Sequence, residues 1–93
     1  MKINMDEYER IAEILKTIAH PYRLCIVKGL MENGCNVSRM QSCLDIPQST
    51  VSQHLAKLRS AGIIKGQRKG LEICYSVKNE EVKKIVGFLF EKK

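Results

Sequence analysis

The sequence predicts a mainly α-helical fold that carries one small β-hairpin, with elements in the order α-α-α-α-β-β-α. Three observations predict this fold class. Apolar residues recur at helical spacing along most of the chain. Proline and glycine divide this pattern into segments before residue 62. After residue 62, apolar and polar residues alternate with the period of two that is typical of a strand. The 93 residues fit a single domain, 1–93, with a core of modest size.

The first two helices are predicted on either side of the dipeptide at 20–21. Residues 5–18 have apolar side chains at helical spacing and acidic side chains toward the N-terminal end, where they complement the helix dipole. Pro21 suits the first turn of a second helix, because the N–H that proline lacks has no partner there. That helix, 22–31, is apolar on nearly every side, so we expect it at the centre of the core.

A helix-turn-helix is predicted next. A short helix at 37–44 precedes a break at 45–47, because Pro47 disfavours helix at the residue before it. A longer helix at 47–61 follows, and Gly62 ends it, since glycine adopts the left-handed conformation of a helix C-terminus without steric cost. The apolar stripe of the longer helix consists of Val51, Leu55 and Leu58.

The outer face of helix 47–61 carries short hydrogen-bonding side chains. Amide and hydroxyl groups on the N-terminal half of a helix are the groups that read base edges in a major groove. An ordinary amphipathic surface helix, which would more often carry Glu and Lys on this face, explains the pattern about as well when the helix is taken alone. The candidate base-reading residues are Gln48, Ser49, Thr50, Ser52 and Gln53.

A β-hairpin is predicted after Gly62. Residues 63–64 begin one strand, and 71–77 form a second strand in which apolar and polar residues alternate. The segment GQRKG at 66–70 is predicted as a glycine-flanked turn, which makes 65–70 a basic wing. The side chains predicted on the buried side of the second strand are Leu71, Ile73 and Tyr75.

The region from 47 to 71 holds five basic residues and no acidic residue, in a chain of formal net charge +6. A basic block beside a candidate recognition helix is typical of phosphate contact, so we expect double-stranded DNA as the partner. A membrane would attract the same charge, but no basic amphipathic helix with interfacial aromatics is visible. The candidate backbone-contacting residues are Lys57, Arg59, Lys65, Arg68 and Lys69.

Together these segments resemble the ArsR/SmtB family of winged-helix transcriptional repressors. The resemblance covers roughly residues 8–90, and STVSQHLAKLRSAGII followed by GQRKG is its most specific part. It implies a recognition helix in each major groove, with His54 at the boundary between groove and core, and wings on the flanking backbone. It also implies a homodimer on a palindromic operator, whose half-sites would lie about one helical turn apart, roughly 34 to 36 Å.

An independent argument also favours the homodimer. The first and last helices keep apolar stripes that a 93-residue monomer could not fully cover, and pairing of two copies would bury them. The last helix is predicted to start at Asn79. The predicted interface residues are Tyr8, Ile11, Leu15, Val82, Ile85, Val86 and Leu89.

The metal sites of many family members do not match this sequence. Where the resemblance would require a CxCxxC run, the chain has Asn36, Ser38 and Gln41. The other common site uses Asp and His ligands on the last helix, and NEEVKKIVGFLFEKK contains no His and no Cys. We therefore predict no metal site and no cofactor, as in the family members that lack an evident metal site. A metal-sensing repressor of the same fold stays an alternative.

The cysteines form no CxxC pair, and without a secretory context they are expected to be reduced. Some relatives of the fold use a cysteine pair between the second and last helices. Cys25 matches the first position of that pair, but the last helix has no second cysteine. The apolar sequence neighbours of Cys25 predict that it is a small buried residue of the core. Cys35 is predicted as the most accessible thiol. A redox switch through Cys25 or Cys35 stays a second alternative.

Catalysis is not expected. No Ser-His-Asp or paired-carboxylate pattern is apparent, and GQRKG lies between two strands, so it does not form a phosphate loop. His20 is expected to hydrogen-bond to the backbone, and His54 to pack its ring while its nitrogens find a partner. The acidic N-terminus and the absence of long apolar runs predict a cytoplasmic protein. A protein-interaction module that uses the same face remains the alternative from a different class, although such a surface would more often offer Trp, Tyr or Leu.

Overall fold

The structure is a computed structural model, and it describes residues 2–33 and 44–91. The predicted fold class is confirmed: among the described residues, three helices precede the connection at 61–63, and two strands and one helix follow it. The predicted short helix at 37–44 lies outside the described residues except for Leu44, which packs against the core. The elements are α1 (Met5–Ile18), α2 (Pro21–Asn33), α3 (Gln48–Ser60), β1 (Ile64–Lys69), β2 (Glu72–Val77) and α4 (Glu80–Leu89).

Side chains cap three of the helices or their junctions. The Asn4 side chain accepts a hydrogen bond from the Asp6 N–H at 3.1 Å, and the Asn79 side chain accepts one from the Val82 N–H at 3.0 Å. His20 Nδ1 accepts from the Tyr22 N–H at 3.1 Å at the start of α2. The predicted backbone hydrogen bond of His20 is therefore confirmed.

The core is built around α2, as its apolar composition predicts. Ile26 and Val27 are fully buried, and α2 contacts α1, α3, α4 and β2. Cys25 is an exception to the prediction, because it is exposed. A helix that is apolar on nearly every side still buries only the sides that other elements cover, and Cys25 lies off the covered side. The fully buried side chains contributed by the other elements are Val51, Leu58, Ile63, Ile64, Val82 and Val86.

Gly62 ends α3 as the sequence predicts. Its φ is +75°, and its N–H donates to the Arg59 carbonyl while the Ile63 N–H donates to the Leu58 carbonyl. These two hydrogen bonds form a Schellman motif, which satisfies carbonyls that a helix end otherwise leaves without a partner. Ile63 and Ile64 follow directly in the core, so this turn fixes the direction in which the hairpin leaves α3.

The hairpin is longer than predicted, and the predicted turn at 66–70 is wrong. β1 continues to Lys69 and pairs antiparallel with β2, with Gly66 opposite Tyr75 and Lys69 opposite Glu72. The turn therefore consists of Gly70 and Leu71 alone. A two-residue hairpin turn needs a positive φ, and Gly70 has a φ of +64°. Gly66 instead leaves room for two side chains of β2, because a Cβ at this position would lie 3.0 Å from Ile73 Cγ2 and 3.1 Å from Tyr75 Cε1.

The buried side predicted for the second strand is also only partly correct. Tyr75 packs against the core and Val77 is buried, whereas Ile73 is 44% exposed and Leu71 is 97% exposed. The alternation of the side chains is real, but the outer half of the hairpin extends beyond the core. No other element of the described chain covers it.

Candidate nucleic-acid interface

Helix α3 separates a buried face from a polar one. Its apolar stripe of Val51, Leu55 and Leu58 is buried in the core. The opposite face therefore points away from the protein, as major-groove reading requires. Of the candidate base-reading residues, Gln48, Ser49, Ser52 and Gln53 are exposed and Thr50 is half-buried.

The N-terminus of α3 has no neutralising group of its own. Pro47 occupies the cap position with φ −60° and ψ 148°, and it offers no side-chain hydrogen bond. The first turn of α3 contains no acidic residue. Helix N-termini carry a partial positive charge and free N–H groups, so this end favours an anion such as a phosphate.

The hairpin displays its cations on two faces. The register puts Lys65, Gln67 and Lys69 on the outer face, with side chains that alternate away from the core. Arg68 lies opposite Ile73 on the other face, which is the face of Tyr75. All five candidate backbone-contacting residues are exposed: Lys57, Arg59, Lys65, Arg68 and Lys69.

Three rings join the start of α2 to α3. The His20 and His54 ring centroids lie 4.7 Å apart, and Tyr22 packs on both histidines at 5.5 and 5.9 Å. His54 Nδ1 is buried and has no hydrogen-bond partner among the described residues, contrary to the prediction that its nitrogens find one. Burial lowers the pKa of His54 below its usual value, and the nearby His20, Arg23 and Lys57 lower it further.

An apolar face remains exposed at α1 and the end of α4. Tyr8 and Leu15 are exposed and Ile11 is half-buried on α1, while Leu89 is exposed and Ile85 is half-buried on α4. Val82 and Val86 were predicted in the same stripe, but they are fully buried in the core of the protomer, so they do not belong to the exposed face. The large exposed side chains of this region that the prediction missed include Met5, Phe88 and Phe90.

The described cysteines do not assemble with other metal-binding residues. Within residues 2–33 and 44–91, no group of three or more His, Cys, Asp or Glu side chains could hold a metal ion. Cys74 is half-buried on β2. Cys35 and Cys43 lie outside the described residues, so the predictions made for them stay predictions.

The fold and the polar helix face define the class of the protein. Helix α3 packs one face on the core, follows a tight turn and precedes a basic hairpin. This arrangement is a winged helix-turn-helix, an architecture that binds DNA. The comparison with protein families agrees, because a helix-turn-helix domain family matches residues 18–67. No helix of the described chain has the length and apolar character that crossing a membrane requires.

Individual relatives narrow the class to a family. The chain is 47% identical to the transcriptional repressor PagR of Bacillus anthracis over 89 residues, which cover 95% of this chain and 89% of PagR. The PagR crystal structure superposes with a TM-score of 0.80 over 92% of this chain and 99% of that chain, at 46% identity. The repressor SmtB of Mycobacterium tuberculosis is 38% identical over 74 residues, which cover 80% of this chain and 55% of SmtB.

The chain therefore belongs to the ArsR/SmtB family of winged-helix transcriptional repressors. These relatives are regulators and not enzymes. The fold alone is also shared with a homodimeric winged helix-turn-helix DNA-binding domain of Mycobacterium bovis, described as a possible ArsR-family regulator. That domain has a TM-score of 0.80 at 22% identity, over 91% of this chain and 79% of that chain.

Proposed function

We propose that this chain is a homodimeric repressor that recognises an inverted-repeat operator with α3 and holds the DNA backbone with its basic residues. The observation that carries the proposal is the polar face of α3, which is exposed on a helix whose opposite face is fully packed. With this role the protein would act where the genomic DNA lies, which in bacteria such as those of its relatives is the cytoplasm.

Base reading is assigned to the exposed amides and hydroxyls of α3. A glutamine amide can form two hydrogen bonds with the N6 and N7 atoms of adenine, and serine and threonine hydroxyls can donate or accept at several bases. Gln53 lies one turn along the helix from Ser49, so both side chains can face the same groove. The base-reading set is Gln48, Ser49, Thr50, Ser52 and Gln53.

Backbone contact is assigned to the cations of α3 and the hairpin. No ion pair with a carboxylate is found in the described chain for Lys57, Arg59 or Arg68. Their charges are therefore available to displace the counterions that surround DNA, which is the main source of sequence-independent affinity. The full set is Lys57, Arg59, Lys65, Arg68 and Lys69.

Dimerisation is assigned to the exposed apolar face at α1 and the end of α4. Two-fold pairing would cover this face. It would also position the α3 helices of the two protomers so that each can enter one of two successive major grooves. The homodimeric domain of Mycobacterium bovis has the same fold, which supports this arrangement. An inverted-repeat operator follows from the two-fold symmetry.

We expect Gln53→Ala and Arg68→Ala to weaken DNA binding in different ways. Gln53→Ala removes a base contact, so it should cost roughly 1–3 kcal/mol on the selected operator and much less on a scrambled duplex. Arg68→Ala removes a phosphate contact, so it should weaken both duplexes alike and reduce the slope of log affinity against log salt by about one. Fluorescence-anisotropy titrations over a range of salt concentrations measure both effects, with a duplex that the wild-type protein selects from a random-sequence pool.

The matched control is Gln67→Ala. Gln67 carries the same amide as Gln53 and lies beside Arg68, but it is neutral and points to the other face of the hairpin. It should change neither the preference for the operator nor the salt slope. If Gln53→Ala lowered affinity equally on operator and scrambled DNA, the base-reading assignment would be wrong. If the selection returned no preferred sequence, the proposed function itself would fail.

A further inference from the structure

We propose that operator binding is coupled to the uptake of a proton at the contact between His20 and His54, so that the affinity for the operator rises as the pH falls from about 7.5 to about 5.5. The inference rests on the proposed function, because the coupling requires α3 to be bound in a major groove. It gives the candidate recognition helix a response to acid that none of its base-reading residues supplies.

The two histidines join the candidate recognition helix to the start of α2. His54 lies in the middle of α3, directly after Gln53, and its ring centroid is 4.7 Å from that of His20. The Tyr22 ring packs on both imidazoles. His54 is half-buried, so its ring lies between the covered and the exposed face of α3. A charge on this ring is therefore close to the face at which DNA would bind.

In the free protein the surroundings of His54 oppose a proton. Burial lowers the pKa of His54, and the nearby His20, Arg23 and Lys57 lower it further. Arg23 is held in place, because its Nη1 donates a hydrogen bond to the Thr17 carbonyl at 2.8 Å. Within residues 2–33 and 44–91, neither histidine forms an ion pair with a carboxylate. His54 is therefore mostly neutral near pH 7.

The other charged groups near this contact do not reverse the balance. Glu13 and Lys16 of α1 line the same groove as Arg23 and Lys57, and their opposite charges offset each other. Tyr22 adds a ring to the contact, and a phenol carries no charge between pH 5.5 and 7.5. Cations thus outnumber acids around His54 in the part of the chain that the structure describes.

The proton is assigned to His54 rather than to His20. His20 Nδ1 accepts a hydrogen bond from the Tyr22 N–H at 3.1 Å, so a proton on that nitrogen would break a bond at the start of α2. His54 Nδ1 is buried and has no such bond to any described residue. One proton from the solvent would add to the lone pair of the neutral His54 imidazole, and it would return to the solvent when the DNA dissociates.

DNA binding removes part of the opposition to this proton. Lys57 is exposed and is assigned to a backbone phosphate, and in that contact its charge is neutralised. The phosphates also bring negative charge to the helix that carries His54, which favours the imidazolium. Both changes raise the pKa of His54 in the complex above its value in the free protein. By linkage, a proton that binds the complex more tightly also makes the protonated protein bind DNA more tightly.

The first test is a series of fluorescence-anisotropy titrations at constant ionic strength, with the duplex that the wild-type protein selects from a random pool. The affinity of the wild type should be about three- to ten-fold higher at pH 5.5 than at pH 7.5. His54→Gln should lose this rise. His20→Asn is the matched variant, because an asparagine side chain can accept the Tyr22 N–H, and it should keep the rise. Circular dichroism at each pH selects a temperature at which every variant is folded.

The role of Lys57 has a separate test that begins with the wild type alone. Calorimetric titration of the operator in two buffers of different ionisation enthalpy measures the number of protons taken up on binding. Lys57→Gln should lower that number, because the charge that opposes the proton in the free protein is gone. Lys65→Gln is the control, since Lys65 is an exposed cation of the hairpin that does not act on His54. It should weaken binding but leave the proton number at the wild-type value.

A failed selection would remove the proposed function before the proton is tested. Given a selected operator, a wild-type affinity that stayed constant or fell in acid would overturn the inference, and so would a binding reaction that takes up no proton. A rise that His54→Gln kept would overturn it as well. If His20→Asn lost the rise and His54→Gln kept it, the proton would belong to the other ring.

Discussion

At the scale of single residues, the contact between His20 and His54 is the feature that links the start of α2 to the candidate recognition helix. His20 Nδ1 accepts the Tyr22 N–H, so its proton must lie on the other ring nitrogen when the ring is neutral. His54 packs on His20 with its Nδ1 buried, and Arg23 and Lys57 are the cations close to it. A proton on His54 would therefore add a charge where burial and its neighbours both oppose one.

This contact predicts a loss of stability in mild acid. The pKa of His54 is lowered in the folded protein, whereas the unfolded chain titrates near the usual value of about 6.5. The unfolded chain then binds more protons below that pH, so stability is present above about pH 6.5 and is lost as the pH falls below it. We expect the melting temperature to fall between about pH 7.5 and 5.5.

The matched variant for this prediction is His54→Gln, which keeps a polar side chain that does not titrate. Its melting temperature should depend less on pH over the same range, and thermal unfolding followed by circular dichroism measures the difference. An identical pH dependence in the wild type and in His54→Gln would contradict the prediction. It would leave the other titrating groups of the protein as the cause of any acid sensitivity.

At the scale of elements, the C-terminus of α3 decides where the hairpin points. Its two closing hydrogen bonds need the left-handed conformation of Gly62, and the next two residues are fully buried. The added Cβ of an alanine at this position would meet only the end of the Lys78 side chain, at 4.0 Å. The cost of such a substitution is therefore conformational and not steric crowding.

We expect Gly62→Ala to destabilise the fold by about 1–2 kcal/mol, because an L-residue is strained in the left-handed region. Gly62→Asn should cost less, since asparagine adopts this region more readily than other residues with a side chain. Urea unfolding of the two variants and the wild type provides the comparison. Equal stability of Gly62→Ala and the wild type would mean that the turn does not require the observed conformation.

At the scale of the whole molecule, the protomer leaves one apolar face without cover while it packs the rest of its stripes. Val82 and Val86 of α4 are used in the protomer core, and the residues beyond them remain exposed. Arg10 and Glu81 form a paired hydrogen bond across α1 and α4, with Nη1–Oε1 at 2.7 Å and Nη2–Oε2 at 3.4 Å. This exposed ion pair orients the two helices more than it stabilises them. The shared face is thus a preformed surface.

We expect the double variant Phe88→Glu with Leu89→Glu to convert the proposed dimer to a monomer, because each protomer would bury two carboxylates without partners in the proposed interface. The affinity for the operator should fall when the dimer is lost, since a monomer engages a single half-site. Sedimentation velocity at several protein concentrations measures the first effect. Leu71→Glu is the control for sedimentation alone, because Leu71 is equally apolar and more exposed but lies away from this face. A wild-type protein that stayed monomeric at every concentration would contradict the assignment of the face.

The sequence by itself determined the fold class, both ends of α1, the glycine that ends α3 and the polar outer face of that helix. These features depend on local rules, because periodicity, capping and left-handed turns are set by residues close in the chain. The specific run from Ser49 to Ile64 with its basic continuation was enough to suggest the family.

Only the tertiary structure decided which apolar side chains are covered. Cys25, Ile73 and Leu71 have sequence neighbours typical of buried residues, yet they are exposed because no other described element reaches them. Val82 and Val86 fit an interface stripe equally well, and packing within the protomer buries them instead. The meeting of His20 with His54 has no local signal either, since 34 positions separate them in the chain. Burial and long-range contact depend on how elements assemble, and that information does not reside in the spacing of residues along one element.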